Sequence, residues 1–394
     1  MMSNQPCVLV VGLGPAGLSV ATRFAEAGWQ VRGYDKRPSP GQTQAVDTRG
    51  YAFTLSPKGR GALPHSIRQR IDPHCVALAS RVFVDRHGFR RSYPYGDLTQ
   101  DRLHAVGRSD FQKAALVAAE AAGADLNFSS PVIDINPLAA QITICRGDDS
   151  ERQHADLVVA ADGAFSVARS RIAAVTGSSY AVRFDGVRYV SVAVSVDETQ
   201  RLIGATNGLH FFRSKHGTDV FIPTPPTSTL LIMSRLIPKN GVLTTDTARE
   251  LALSRNPVIR QSIRSLDSRL VGAPIGHFVN CETELPYAGR GAIIGDAWIA
   301  TPAYAGQGVN SALQDTNTLV DSVFGEATIE SALKKYAERR SASREAIRDL
   351  NTSIGRQLLT GSYGGALWRA KQWLHTKTGV RTTYQKLVLD EATS

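Results

Sequence analysis

"VLVVGLGPAGLSVATRFAEAGWQVRGYDKR", Val8 to Arg37, is the stretch that decides the fold. Val8 to Val11 is an apolar, β-branched run suited to a buried strand. Gly12, Gly14 and Gly17 then stand as G-x-G-x-x-G. In that spacing the first glycine allows a tight turn, the second lets a pyrophosphate approach the backbone, and the third lets helix and strand pack closely. Leu18 to Ala27 reads as a helix whose N-terminal N–H groups face the phosphates. Val31 to Tyr34 reads as the next strand. Asp35 closes it, where a carboxylate accepts the hydroxyls of an adenosine ribose. Strand, helix and acid together predict a dinucleotide site rather than a bare glycine turn.

The chain has 394 residues, enough for two or so domains around a large core. Its 42% hydrophobic and 20% charged content is that of an ordinary globular protein. No apolar run approaches the ~18 residues that span a membrane. The N-terminus shows neither a basic leader nor a cleavage site, so a cytoplasmic location is expected. Cys7, Cys75, Cys145 and Cys281 are scattered, which argues against a metal site and against a disulfide framework. The net charge is +10. Its basic residues are dispersed, with mild clusters at 86–91 and 334–344, and no basic run interleaves with aromatics as single-strand binding requires. The balance suits an enzyme that holds an anionic dinucleotide and an acidic substrate better than a nucleic-acid binder.

Further along, residues 76–95 alternate as strands do, and "SDFQKAALVAAEAAGADLNF" reads as a helix capped by Ser109 and ended by Gly123. "ADLVVAADGAFSVARSRI" is a buried strand running into Asp162-Gly163. Short alternating segments such as "YVSVAVSVD", "DVFIPTP" and "TLLIMSRL" predict an antiparallel sheet between about 178 and 280. "GAIIGDAWIATPAYAGQGVNSALQDTNTLVDSV" returns to strand–loop–helix grammar, and the last 70 residues read as helical and basic. The expected fold is α/β: a Rossmann-like dinucleotide domain (1–75, 100–175 and 281–330), an inserted antiparallel-sheet domain on the substrate side (76–99 and 176–280), and a helical C-terminus (331–394). Three segments share a motif, a glycine with a small acid or free N–H groups at the end of an apolar strand: 12–17, 161–163, and 295–296 with 306–310.

This set, over nearly the whole chain, resembles the single-component FAD-dependent aromatic hydroxylases, the group that includes p-hydroxybenzoate hydroxylase. Within it the chain is most similar to kynurenine 3-monooxygenase and its relatives. The supporting stretches are "RGYAFTLSPKGRGAL" (49–63), "RVFVDRHGFRRSYPYG" (81–96), "GRSDFQKAALVAAE" (107–120) and "DLVVAADGAFSVARSRI" (156–172). The resemblance implies that Gly12, Gly14, Ala16, Gly17, Asp35, Lys36, Arg37, Thr54, Arg108, Val132 and Asp162 surround FAD. Asp296, Gly308, Val309 and Asn310 would meet its ribityl chain and isoalloxazine, with Pro302, Tyr304 and Gln307 on the flavin face. Arg81 and Tyr95 match the pair that clasps a substrate carboxylate, a task that suits an arginine fork and a phenol. The implied mechanism is that NADPH or NADH reduces FAD, O2 is captured as a flavin C4a-hydroperoxide, and one oxygen passes to an aromatic ring. No second G-x-G-x-x-G with a following acid is present, so the nicotinamide donor is a visiting co-substrate. No protein nucleophile or metal is required. A monomer or homodimer is expected.

Two departures from the family pattern bear on substrate. The third motif reads Gly295-Asp296-Ala297-Trp298-Ile299 where the family has G-D-A-A-H, and Pro302 falls one place early. Ile354 stands where kynurenine hydroxylases carry a polar side chain. Trp298 is expected as a core aromatic. The C-terminal stretch with Trp368 and Trp373 is expected to pack on the protein rather than on a membrane surface. The alternatives are hydroxylation or epoxidation of a different biosynthetic intermediate, or a flavin binder without catalysis.

Overall fold

The computed structural model describes residues 5–40, 51–96, 102–239, 241–360, 366–378 and 381–389. The fold is mixed α/β. Its nucleotide half is built on a six-stranded sheet, with the strand Cys7–Val11 between Leu157–Ala160 and Gln30–Tyr34. Gly291–Ile293 and Asp125–Asn127 extend the sheet on either side in the same direction, and Tyr287–Ala288 runs antiparallel at one edge. Every residue of Cys7–Val11 is buried, as a central strand covered on both faces requires. The helices Pro15–Glu26, Arg108–Ala121 and Gly308–Gly325 complete the core around Leu18, Phe24, Phe111 and Leu319.

Two starts differ from the sequence expectation. The first helix begins at Pro15, three residues before Leu18, because a proline at the first helical position loses no hydrogen bond there. Ser109 does not cap its helix. The strand Leu103–Gly107 runs directly into Arg108–Ala121, and Gly107 holds the cap position. Gly123, at φ +93°, does follow the helix end.

The second large sheet has seven strands in the order 276–283, 180–194, 228–234, 217–222, 208–214, 80–84 and 90–94. It is antiparallel except where Gly208–Ser214 pairs in parallel with Ser80–Val84. That pairing brings Arg81, early in the chain, level with Leu209. One apolar cluster lines a face of this sheet and includes Tyr95, Phe211, Val220, Met233, Phe278, Tyr304 and Ile354. Ala52–Leu55, Leu103–Gly107 and Val76–Leu78 form a small antiparallel sheet nearby. The 31-residue helix Ile329–Leu359 packs along Gly308–Gly325. Among the described residues no helix is long and apolar enough to cross a membrane.

Candidate flavin and substrate site

The three motif bends converge. Gly12 has φ +89°, and a Cβ there would fall 2.5 Å from the Ala161 carbonyl oxygen, so the first bend lies directly against the Asp162 loop. A Cβ on Gly17 would strike the Gly12 carbonyl at 1.8 Å, so only glycine lets the helix start this close to the strand. The third bend joins them through Thr316, whose Oγ1 bonds the Ala16 carbonyl at 3.4 Å. Asp296 faces Gly308, where a Cβ would stand 3.9 Å from Asp296 Oδ1.

The charged members of the group differ in what they hold. Asp35 is buried, and its carboxylate accepts the Leu13 N–H at 2.8 Å, the Arg37 N–H at 2.8 Å and the Arg37 guanidinium at 2.8 Å. Burial alone would raise the Asp35 carboxyl, but these bonds outweigh it and hold it below its ordinary value. Ribose hydroxyls reaching Asp35 would therefore exchange with Arg37, whose side chain is about half exposed. Lys36 is exposed beside it.

Asp162 Oδ2 accepts the Val167 N–H at 2.8 Å and the Ala168 N–H at 3.3 Å, capping the helix Val167–Thr176. Its Oδ1 is buried with no partner among the described residues, and burial pushes its pKa up. Asp296 keeps a solvent-exposed side chain although protein crowds around its carboxyl. Its enclosure raises the carboxyl against the pull of Arg344 and Arg108. Arg108 stacks over Tyr51 at 5.5 Å. Val132 begins a strand and is half-buried.

Asn310 is fully buried, and its amide is spent inside the protein. It donates to the Thr54 carbonyl at 2.9 Å and the Gly306 carbonyl at 3.1 Å, and accepts the Ser56 N–H at 2.8 Å. What remains for a ligand is backbone: the first hydrogen bond within the helix Gly308–Gly325 goes from the Ser311 N–H to Gln307, leaving the N–H groups of Gly308, Val309 and Asn310 without helical acceptors. With the first-turn amides of Pro15–Glu26 they form two donor clusters, suited to phosphate and to the electron-rich edge of a flavin. The donor set and its convergence fit FAD.

Pro302 and Gln307 are buried. Tyr304 packs on Phe278 at 5.1 Å and donates its hydroxyl to Asp185 at 3.2 Å, and burial together with Asp185 keeps it protonated. Trp298 is a core residue. It is 2% exposed, donates to the Thr283 carbonyl at 3.1 Å and packs on Tyr336 at 5.6 Å.

Arg81 and Tyr95 are brought together and buried, with the guanidinium 5.2 Å from the Tyr95 ring. The C-terminal segment completes the enclosure: Trp368 and Tyr384 each stand 5.2 Å from the guanidinium, and Gln372 lies 3.5 Å from it. Trp368 packs on Phe83 and Tyr93 at 4.9 and 5.0 Å. The side chain of Trp373 lies outside the described residues.

One group escaped sequence reasoning. Arg340 and Arg344 belong to the mild basic cluster at 334–344, and both are buried on Asp315, at 2.9 and 3.4 Å. Asp315 also accepts the Gly295 N–H at 2.9 Å, and Arg344 donates to the carbonyls of Gly295 and Ile299. The loop bearing Asp296 is thus held from behind. The four-residue spacing of Arg340 and Arg344 on one helix face, opposite Asp315 in the first half of the preceding helix, is the signal that marks it.

The FAD-binding domain family matches this chain over residues 6–350. Kynurenine 3-monooxygenase of Salinispora tropica is 28% identical over 363 residues, covering 90% of this chain and 80% of that one. The enzyme of the same name from Drosophila willistoni is 23% identical over 87% of this chain and 77% of its own. Among solved structures, a mutant of 2-methyl-3-hydroxypyridine-5-carboxylic acid oxygenase superposes with a TM-score of 0.74 at 17% identity, covering 98% of this chain and 96% of that one. Klebsiella pneumoniae HpxO, solved with FAD and uric acid, gives 0.72 at 19% identity over 99% and 94%. These two show the shared fold. With the family match spanning most of its length and a converged flavin frame, the chain belongs to the FAD-binding domain family and is a flavoprotein monooxygenase.

Proposed function

We propose that the protein uses NADPH or NADH and O2 to hydroxylate an aromatic or indolic substrate bearing a carboxylate, a kynurenine-like or tryptophan-derived acid. The observation that carries this reading is the buried Arg81 beside Tyr95, walled by Trp368 and Tyr384. A guanidinium recognises a carboxylate with two parallel bonds, and aromatic walls suit a flat ring. When bound, reduced FAD activates dioxygen and delivers one oxygen atom to an electron-rich ring. The chain's own part is to hold and exclude. The helix starts at Pro15 and Gly308 grip the cofactor, Asp35 and Asp296 take its hydroxyls, and the apolar cluster around Phe211, Val220, Phe278 and Tyr304 keeps water from the reacting face.

A second reading changes the substrate and keeps the chemistry. Ile354 is buried in that same apolar cluster, so this position of the wall offers no polar group for an amino-ketone to bond. A site lacking a polar partner favours a less polar substrate. The test is incubation of the yellow holoenzyme with NADPH, NADH and a panel of tryptophan-derived acids, read by product mass. An acid that accelerates nucleotide oxidation and gains one oxygen supports the first reading. Efficient 3-hydroxylation of kynurenine itself would exclude the second, and a colourless protein that takes up no FAD would overturn both.

A further inference from the structure

A cavity of about 360 Å³ lies between the hairpin turn at Ser214–Gly217, the end of the strand Ser228–Ser234 and the last turn of the helix Ile329–Leu359. Arg213, Lys215, His216 and Arg235 line it, and among the described residues no carboxylate does. None of these four side chains has a hydrogen bond or ion-pair partner among the described residues, whereas Arg255, further along the chain, is paired with Asp219. Arg213, Lys215, His216 and Arg235 are exposed, so solvent screens their mutual repulsion, and together they present a positively charged concavity suited to phosphate. The fold also ties the cavity to the flavin side. Arg235 lies within electrostatic reach of Tyr304, in the loop Pro302–Gln307. Leu358, next to the cavity's Leu359, packs in one cluster with Tyr304 and Ile354.

We propose that this basic cavity receives the phosphate-bearing adenosine half of the visiting nicotinamide nucleotide, and that it favours NADPH over NADH through the additional 2′-phosphate. This rests on the reading that a reduced pyridine nucleotide is the electron donor. The volume is at the small end of ligand pockets, adequate for an adenosine phosphate and too small for a whole dinucleotide, so the nicotinamide is left to reach the flavin. Phosphate recognition here is by planar arginine forks and a point-charge lysine, with affinity that falls as salt rises.

The test compares wild type with Arg213→Gln/Lys215→Gln and with Arg235→Gln, using Lys334→Gln on the exposed far surface as the charge control. Calorimetry with 2′,5′-ADP gives its Kd, titration with inorganic pyrophosphate separates a nucleotide site from a general phosphate site, and anaerobic flavin reduction gives the Kd for NADPH and NADH. The proposal expects the Kd for 2′,5′-ADP and NADPH to rise at least tenfold in the cavity variants, the Kd for NADH to rise less than threefold, and Lys334→Gln to match wild type. Loss of 2′,5′-ADP binding in the cavity variants supports the site even if no nicotinamide reduces the flavin, which would sink the donor reading alone. Unchanged NADPH and 2′,5′-ADP binding in an enzyme that NADPH reduces overturns the site and leaves the donor reading standing. Pyrophosphate binding as tight as 2′,5′-ADP overturns the nucleotide assignment.

Discussion

His210 offers a prediction whose size follows from its surroundings. The ring is fully buried in the seven-stranded sheet, with Phe212 at 6.1 Å and Phe221 at 6.3 Å. Nδ1 bonds the Gly208 carbonyl at 2.8 Å, and Nε2 is buried with no partner among the described residues. Burial, helped by Arg90 and opposed by the Gly208 bond, pushes its pKa down from 6.5 to about 4. The folded state therefore holds His210 neutral at a pH where the unfolded chain is already protonated. Stability from this group is complete above pH 6.5 and is lost as pH falls toward 4. At about 1.4 kcal/mol per pH unit, moving from pH 7.5 to 5 costs about 2 kcal/mol. Replacing His210 with Leu removes that titration, and His210→Gln does so with a polar side chain should Leu fail to fold. The assay is urea unfolding of the holoenzyme at both pH values. Wild type should lose about 2 kcal/mol more on acidification than either variant, whatever the variants' stability at neutral pH. Equal pH dependence in wild type and both variants would refute the reasoning, since it would mean His210 titrates alike in folded and unfolded chains.

Three further outcomes are expected. Arg81→Ala should raise the KM for the acid substrate about 10- to 100-fold, the worth of a charged hydrogen bond, with FAD content unchanged. Arg81→Lys should recover little because the fork is gone; steady-state kinetics and flavin absorbance check both. Asp315→Asn leaves Arg340 and Arg344 buried without their counter-charge, so stability should fall by about 3–5 kcal/mol and flavin should dissociate more readily on dilution, measured by thermal unfolding and flavin fluorescence. Trp298→Phe removes the donor to Thr283 and should cost about 1–3 kcal/mol in stability while leaving the substrate KM within twofold, which separates a packing role from a substrate-stacking one.

Much of the nucleotide half was legible because its rules are local. The run Cys7–Val11, the glycine spacing and Asp35 each follow from what a single turn of backbone demands. The start at Pro15 and the uncapped Ser109 were misplaced because two helices grow directly out of strand ends, where the cap position falls to a glycine and not to the nearest serine. The parallel neighbour of Ser80–Val84 was not legible, since pairing across 128 positions leaves no trace in either strand's alternation. Asn310 illustrates the same limit within the site: its place in the motif was plain, but only the folded chain reveals that its amide ties Thr54, Ser56 and Gly306 together. Arg340 and Arg344 read only as part of a mild basic cluster because burial of an ion pair depends on a partner from another helix.

The support behind the Asp296 loop sets the order in which the molecule can mature. Asp315 and Arg344 both hold Gly295, and Arg344 follows it by 49 positions in the chain. During synthesis the first strand, glycine turn and helix are available early, whereas the Arg344 support of the third bend arrives only with the long helix. A stop before residue 344 would leave the fingerprint at residues 12–17 intact and remove one of the two side chains that hold Gly295.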